Sequence, residues 1–249
     1  MSLEPGAAWR LSIHPSLAST SELCRARAAE GEPEGLAVLA LVQTEGRGSR
    51  GRAWSSPAGS LSLSVLLRPD APATEAGQWA LLAGLAMRDG LASFLADASG
   101  LVLKWPNDVV LGGRKLGVIL IDSAADREGR LAWLVIGFGA NRAQAPALDD
   151  RAAAALAEAG AAPLPEVAAL AILRCLDRWR EVLAREGFGA VRAAWLQRAH
   201  PLGTPLSLRF GGREVDGDFA GLTAEGGLLL RTADGLRAYG TGEVLLRGA

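Results

Sequence analysis

The chain has 249 residues, 49% of them hydrophobic and 21% charged, with a formal net charge of −1 at pH 7. This composition is typical of a globular protein of one or two domains and excludes a disordered chain, and the even balance of charges predicts no DNA partner. No stretch has the pattern of a signal peptide or a membrane span, and the two cysteines show no metal or redox spacing. We therefore expect no membrane association and a cytoplasmic protein with free thiols.

The first 200 residues show hydrophobic patterns of strands that are followed mainly by helices. Strands are predicted at residues 36–42, 61–67, 101–104, 109–111, 115–121 and 131–138, and helices at residues 21–29, 75–95, 150–159, 165–185 and 188–198. Gly112-Gly113 is typical of a two-residue hairpin turn. This order predicts a first domain over residues 1–200 with an α+β fold, in which helices cover a mixed or antiparallel sheet.

The composition changes after His200-Pro201. Beyond this point short apolar runs alternate with glycine-containing turns, which predicts strands at residues 205–210, 214–222, 228–231, 236–239 and 243–246. Such spacing is typical of a small antiparallel barrel. A second domain over residues 201–249 is therefore predicted, and its small size predicts that it docks on the first domain.

Between the strands at 36–42 and 61–67 lies a glycine-rich loop with three arginines, Gly46-Arg47-Gly48-Ser49-Arg50-Gly51-Arg52. Glycine lets a backbone turn tightly beside a ligand, and arginine donates to phosphate or carboxylate oxygens, so the loop predicts an anion site. The same letters fit the G-x-G-x-x-G dinucleotide pattern. That pattern requires a helix directly after the loop, whereas a strand follows here. Taken alone, the loop is equally consistent with a basic surface hairpin.

Two further segments carry charged residues at strand ends. The first is Lys104-Trp105-Pro106-Asn107-Asp108, and the second, Arg114-Lys115, leaves a tight hairpin. Each by itself is an ordinary feature, because lysines at strand ends are usually solvated and Asn-Asp after proline is a common turn. Together with the arginine loop they supply the cations needed to bring an ATP phosphate and a carboxylate into contact. Asp108 is then a candidate for helping to hold Mg²⁺.

In this order the segments resemble the motifs of the biotin protein ligases. The resemblance is carried by Gln43, the loop 46–52 and Trp54, then by Lys104-Trp105-Pro106-Asn107-Asp108, Arg114-Lys115-Leu116 and Gly117, and finally by Gly137-Phe138-Gly139-Ala140-Asn141, which is similar to a G-x-G-x-N segment. Ser19-Thr20 is similar to the start of an S-T-N motif. The resemblance spans nearly the whole chain and implies the biotin/lipoate ligase fold, with a C-terminal SH3-like barrel.

The resemblance implies that biotin and ATP give biotinyl-5′-AMP and pyrophosphate, and that a lysine of a biotin carboxyl carrier domain then takes the biotinyl group. It implies catalytic roles for Arg47, Lys115, Lys104 and Asp108. The implied biotin site comprises Ser19, Thr20, Gln43, Gly46, Arg47, Trp54, Lys115 and Gly117. The implied nucleotide site comprises Arg47, Gly48, Ser49, Arg50, Gly51, Arg52, Trp54, Lys104, Asn107 and Asn141. Mg²⁺ is the implied metal, with Asp108 as its ligand.

The chain departs from the family pattern in three places. Ser49 stands where the family frequently has another arginine, and Ser21 replaces the asparagine of S-T-N. The chain also begins almost directly at the catalytic domain, so a short form without repressor function is expected. The missing cation at Ser49 predicts weaker retention of the adenylate.

Two other functions remain open from the sequence. A lipoate-type protein ligase uses a related scaffold, but its recurrent arginine-glycine-glycine loop is absent here and K-W-P-N-D is present. A non-catalytic regulator that binds biotin or its adenylate belongs to a different class. Against it stands the retention of Arg47, Lys104, Asp108 and Lys115 together. The sequence is consistent with a monomer and with a homodimer.

Overall fold

The computed structural model describes residues 9–48, 54, 56, 59–147 and 152–246. Its α helices are α1 (Thr20–Ala29), α2 (Ala76–Ala92), α3 (Pro165–Glu186) and α4 (Phe188–Gln197). Its strands are β1 (Arg10–His14), β2 (Leu36–Ala40), β3 (Leu61–Leu67), β4 (Leu101–Lys104), β5 (Asp108–Leu111), β6 (Arg114–Ala125), β7 (Leu131–Ala140), β8 (Pro205–Phe210), β9 (Arg213–Leu222), β10 (Leu228–Thr232), β11 (Gly235–Tyr239) and β12 (Glu243–Leu246). None of the described helices is long and apolar enough to cross a membrane.

The first seven strands form one sheet in the order β1-β2-β3-β7-β6-β5-β4. β1 and β2 are parallel, and the other neighbouring strands of this sheet are antiparallel. Gly112 and Gly113 have φ values of 55° and 77°, as the hairpin between β5 and β6 requires. The predicted α+β fold with a mixed sheet is therefore confirmed.

The two faces of this sheet are covered by different helices. Leu63 and Val65 of β3 belong to the large core that α2 and α3 cover, while Leu66 belongs to a smaller cluster with Cys24 of α1. Because side chains alternate along a strand, Ser62 and Ser64 lie on the same face as Leu66. The α1 face therefore combines a small apolar cluster with buried hydroxyl groups.

Two elements differ from the sequence-based prediction. The helix predicted at 150–159 is wrong over its described part: Lys115 N donates to Ala152 O, Ala154 N donates to Lys115 O, and only a short 3-10 helix, Leu156–Glu158, follows. The helix propensity of alanine is a weak preference, which backbone hydrogen bonds to β6 override here. Strand β1 was also missed from the sequence, although Arg10–His14 alternates polar and apolar residues, because five residues are a short signal and the partner strand β2 lies more than twenty residues away.

The last five strands form a second, antiparallel sheet in the order β11-β10-β9-β8-β12. Each strand lies within one residue of its predicted position. Gly211 and Gly212, with φ values of 56° and 75°, form the turn between β8 and β9. The two edge strands, β11 and β12, are not paired with each other in the described residues, so the sheet is consistent with an SH3-like barrel but is not closed.

The second sheet is attached to the first through the segment around Trp105. Trp105 Nε1 donates to Gly226 O at 3.0 Å, and Lys104 Nζ donates to Val244 O at 3.0 Å. These contacts join the end of β4 to two separate parts of the second sheet. The predicted docking of the C-terminal residues is therefore present, while the domain boundary at residue 200 stays a prediction.

A buried carboxylate on α2 connects the three helices of the large core. The Asp89 side chain is 8% exposed and accepts from Arg178 NH2 at 2.7 Å, from Trp179 Nε1 at 3.1 Å and from Arg198 Nε at 2.9 Å. Arg178 and Arg198 also lie over the Trp179 ring. Removal of this carboxylate would therefore leave the Trp179 Nε1 and Arg198 Nε donors without their acceptor.

We predict that Asp89→Ala lowers the free energy of unfolding by about 2 kcal/mol, since the Trp179 Nε1 and Arg198 Nε donors lose their acceptor while the half-exposed Arg178 stays solvated. Urea unfolding followed by circular dichroism measures the change as a lower midpoint at an unchanged slope. Asp234→Ala, in the exposed turn between β10 and β11, is the matched control and should unfold like the wild type. Equal midpoints for Asp89→Ala and the wild type would contradict the prediction.

Candidate active site

A pocket opens on the α1 face of the first sheet, beside the N-terminus of α1. Its lining comes from α1, from the segments between β2 and β3, and from β3, β6 and β7: Thr20, Ser21, Gln43, Arg47, Trp54, Ser62, Leu63, Ser64, Val118, Leu120, Gly137, Phe138 and Gly139. We call it the hydroxyl pocket, because four of these residues carry hydroxyl groups.

A hydrogen-bond chain fixes the polar side of the hydroxyl pocket. The backbone N–H and the hydroxyl of Thr20 both donate to Gln43 Oε1, at 2.9 and 3.1 Å. The Ser64 hydroxyl lies 2.7 Å from that of Thr20 and 3.0 Å from that of Ser21. Since a hydroxyl has one proton to donate, Ser64 donates to Thr20 and Ser21 donates to Ser64. Thr20 and Gln43, both predicted for the biotin site, are thus brought together.

Ser19 lies just outside the pocket lining and begins α1. Its side chain accepts from Glu22 N at 3.4 Å, which makes it the N-cap that the sequence predicted. Ser62 and Ser64 were not among the predicted site residues. The signal that identifies them is the alternation of serine with leucine in β3, because a buried strand with serine on one face has a polar neighbour there.

The second part of the site is a buried ion cluster at the junction of β4, β5 and β6. Asp108 Oδ1 accepts from Lys115 Nζ at 2.6 Å, and Asp108 Oδ2 accepts from Lys104 Nζ at 3.0 Å. Sheet register creates the cluster, because Lys104 pairs with Asp108 across β4 and β5. We call these three residues the lysine–aspartate cluster.

The charge state of Asp108 follows from its surroundings. Burial by itself raises the pKa of this carboxyl, but the charges and hydrogen bonds of Lys115 and Lys104 together outweigh burial, so its pKa lies below the usual value of 3.8. The carboxylate is therefore ionised at neutral pH. The cluster carries a net charge of +1, as an anion site requires.

The lysine–aspartate cluster does not fit a protein-held Mg²⁺. Both carboxylate oxygens of Asp108 already accept from ammonium groups, and a cation placed there would face two like charges. In the described residues no group of three or more His, Cys, Asp or Glu side chains converges on a point. Mg²⁺ prefers carboxylates, phosphates and water as ligands. The geometry therefore disfavours Asp108 as a direct metal ligand.

Trp54 connects the hydroxyl pocket with the lysine–aspartate cluster. Its ring lines the pocket, and Lys115 Nζ lies 5.8 Å from the ring centroid. A Cβ on Gly139 would stand 2.8 Å from Trp54 Nε1, so only glycine in β7 lets the indole lie this close. Trp54 Nε1 is buried and has no partner in the described residues. The packing of the indole against Gly139 therefore fixes one wall of the site.

Other glycines of the predicted motifs are also places of close approach. A Cβ on Gly137 would stand 2.8 Å from Ser21 Oγ, and one on Gly117 would stand 2.8 Å from Gly139 O and collide with Met87. A Cβ on Gly46 would collide with the backbone of Trp54. Gly117 therefore allows close packing between β6 and β7, and its predicted biotin contact stays a prediction.

The arginine loop is described only in part. Gly46, Arg47 and Gly48 are described, and Gly46 O accepts from Trp54 N at 2.8 Å. Arg47 lines the hydroxyl pocket and forms an ion pair with Glu22 of α1. The other predicted loop residues lie outside the described residues: Ser49, Arg50, Gly51 and Arg52. Their predicted nucleotide contacts stay predictions.

The two predicted asparagines bind backbone groups around the cluster. Asn107 Nδ2 donates to Ile119 O at 2.6 Å, and Asn141 Nδ2 donates to Ala154 O at 3.1 Å and Lys115 O at 3.3 Å. Asn141 thus holds the backbone that carries Lys115. Asn141 Oδ1 is buried and has no partner in the described residues, so its predicted adenine contact stays a prediction.

The site combines a polar pocket with a cationic cluster. Comparison with known proteins shows that the chain matches two domain families. Residues 15–141 match the Biotin/lipoate A/B protein ligase family, and residues 202–247 match the Biotin protein ligase C terminal domain. The chain belongs to the biotin protein ligase family. The Biotin--[acetyl-CoA-carboxylase] ligase of Paracoccus denitrificans is 38% identical over 85% of this chain and 90% of its own length.

Two further relatives extend the comparison of this ligase-family chain. The Bifunctional ligase/repressor BirA of Bacillus subtilis is 32% identical over 95% of this chain and 74% of its own length. The structure of the biotin protein ligase from Aquifex aeolicus in complex with biotin and ATP superposes with a TM-score of 0.79 at 26% identity, over 96% of this chain and 99% of that chain. The predicted family and the ligase fold are therefore confirmed.

We predict that Asp108→Asn destabilises the protein in a pH-dependent way. Because the folded pKa of Asp108 lies below its unfolded value of about 3.9, its contribution is fully present above that pH and is lost as the pH falls through the folded pKa. The difference in unfolding free energy between wild type and variant should be constant near neutral pH and should shrink as the pH falls below the unfolded pKa of about 3.9 and through the lower folded pKa. Urea titrations across this range measure it. A difference that grows in acid would contradict the assignment.

We predict that Gly139→Ala lowers the affinity for biotin about tenfold, because the added methyl group pushes the Trp54 indole out of the pocket wall. Isothermal titration calorimetry measures the affinity. Gly77→Ala, in α2 where an added methyl group would meet no neighbouring atom, is the matched control and should bind like the wild type. Unchanged affinity in Gly139→Ala would show that Trp54 does not form the wall.

Proposed function

We propose that this protein is an ATP-dependent biotin protein ligase. It converts biotin and ATP to biotinyl-5′-AMP and pyrophosphate, and it then transfers the biotinyl group to a lysine of a biotin carboxyl carrier domain. The observation that carries the proposal is the position of the lysine–aspartate cluster beside the hydroxyl pocket, with Trp54 contacting both. The biotin and ATP in the Aquifex aeolicus complex support this choice of substrates.

In the hydroxyl pocket, the Thr20–Gln43–Ser64 hydrogen-bond chain supplies fixed polar groups, and Val118, Leu120 and Trp54 supply apolar walls. This combination suits a ligand with a polar ring head and an apolar chain, as biotin has. We infer that the ring head lies against the hydroxyls. The carboxyl end then points toward Trp54 and Lys115.

In the first step a carboxylate oxygen of biotin attacks the α-phosphorus of ATP, and the bond to the β-phosphate breaks. Both reactants are anions, so cations must offset their repulsion and stabilise the charge on the phosphate. Lys115 brings an ammonium group to the Trp54 side of the pocket, and Arg47 stands at the pocket wall. The ionised Asp108 holds both lysines in place between turnovers.

In the second step the unprotonated amine of the acceptor lysine attacks the acyl carbon of biotinyl-5′-AMP. An amide bond forms, the bond between the acyl carbon and the phosphate oxygen breaks, and AMP leaves while the amine proton passes to solvent. Lys115 stabilises the AMP phosphate as it departs. The carrier-domain partner is inferred from the acetyl-CoA-carboxylase ligases among the relatives.

Mg²⁺ is proposed as a companion of the ATP phosphates, because the geometry around Asp108 disfavours a metal ion held by the protein. A cytoplasmic location is also proposed, since the reaction consumes ATP and the two cysteines are free thiols.

The proposal predicts biotin-dependent release of pyrophosphate from ATP by the purified protein. We expect Lys115→Ala and Arg47→Ala each to lower kcat/KM by about 100-fold, the loss typical of removing one group that stabilises transition-state charge. Arg130→Ala, whose side chain pairs with Asp70 on the surface, is the control and should retain wild-type activity. Wild-type protein that releases no pyrophosphate with biotin would contradict the proposal.

The same assay separates the alternatives. Release with lipoate in place of biotin would identify a lipoate ligase, and biotin binding without any release would identify a non-catalytic regulator. The buried lysine–aspartate cluster favours the enzyme. A pure binding site would not need two ammonium groups held by one carboxylate beside the pocket.

A further inference from the structure

The chain contains only two lysines, and both lie in the lysine–aspartate cluster. Lys104 and Lys115 are the only lysines in the 249-residue sequence, and the other 24 of its 26 basic residues are arginine. Both lysines bond to the same carboxylate, that of Asp108. Outside this cluster, all Lys and Arg side chains of the chain are therefore arginines, which carry guanidinium groups.

This distribution matters because of the product that the proposed first step creates. A biotinyl adenylate is a mixed anhydride, which acylates an unprotonated amine and does not acylate an ammonium or a guanidinium group. Arginine stays protonated at any physiological pH. An adenylate that leaves the site therefore meets no reactive lysine on the rest of this chain. The two lysines beside the site are the exception.

Asp108 restrains these two lysines. Their side chains are 15% and 12% exposed, and that of Asp108 is 11% exposed, so all three are largely removed from water. Release of either Nζ from Asp108 would give up an ion pair in a place where water compensates poorly. Lys104 is fixed further by its bond to Val244 O. A lysine acts as a nucleophile only when its amine nitrogen is free to attack, and an Nζ atom held in an ion pair is not.

We propose that Asp108 protects the enzyme against self-biotinylation by holding the Nζ atoms of Lys104 and Lys115 in buried ion pairs, so that the acceptor lysine is the amine which the adenylate acylates. The assignment of the adenylate rests on the proposed function. Without the carboxylate, a neutral Nζ attacks the acyl carbon, a C–N bond forms, the C–O bond to the phosphate breaks, AMP leaves, and the amine proton passes to solvent.

The test supplies biotinyl-5′-AMP directly, so that the variant need not make it. Wild type and Asp108→Asn are incubated with the adenylate without acceptor, and biotinylated peptides are located by mass spectrometry. We expect at least about tenfold more label at Lys104 and Lys115 in the variant, which corresponds to about 1.4 kcal/mol of lost ion-pair energy. Equal labelling of the two proteins overturns the proposal.

Two controls separate reactivity from binding. A small amine-acylating reagent, an N-hydroxysuccinimide ester of acetate, reaches the lysines without using the hydroxyl pocket, and it should also label Asp108→Asn more than wild type. Asp126→Asn, in the exposed turn after β6, should behave like wild type. Arg114→Lys adds an exposed lysine one residue from Lys115 and should be labelled in full by both reagents.

The controls also separate this proposal from the proposed function. Absence of biotin-dependent pyrophosphate release by the wild type contradicts only the proposed function. Equal labelling of wild type and Asp108→Asn by the acetate ester contradicts only the role of Asp108. In Asp108→Asn, the ester could label the α-amino group more strongly as well as the two lysines. That result would indicate general loosening of the fold and would also overturn the proposal.

Discussion

The structure depends on one buried carboxylate that holds two ammonium groups. Asp108 lies where β5 begins, opposite Lys104 of β4, and accepts from Lys115 at the start of β6. Buried charges of this kind are stable only when geometry and hydrogen bonding are good, which requires three strands in fixed register. The meander of tight hairpins supplies that register. The site is thus a consequence of how β4, β5 and β6 pair.

The same cluster links the two sheets. Lys104 bonds at once to Asp108 and to Val244 O of β12, and its neighbour Trp105 bonds to Gly226 O. A displacement of the second sheet would therefore break or move a hydrogen bond of a lysine in the cluster. The small C-terminal sheet lies against the end of β4. There it adds buried area and also provides a backbone acceptor for a lysine of the cluster.

Much of the fold and of the site could be predicted from the sequence. The strands of the meander and of the second sheet have strong alternation and glycine turns, and these are local signals. The cationic side chains of Arg47, Lys104 and Lys115 could be identified because they also lie in short local motifs. Ser62 and Ser64 were missed, although alternation in β3 marks them, because their role depends on which face α1 covers. The scarcity of lysine was present in the sequence but gained meaning only from the shared contact with Asp108.

By itself the sequence determined the family, the order of the elements and the charged groups available for chemistry, since all of these follow from residue types at short spacing. The tertiary structure decided what those groups do. It showed that residues 152–154 bridge to Lys115 of β6 where a helix was predicted, that the Asn107 and Asn141 amides bind backbone, and that Asp108 holds lysines where a metal was expected. Each of these outcomes depends on hydrogen bonds and burial between distant segments, which local propensity does not contain.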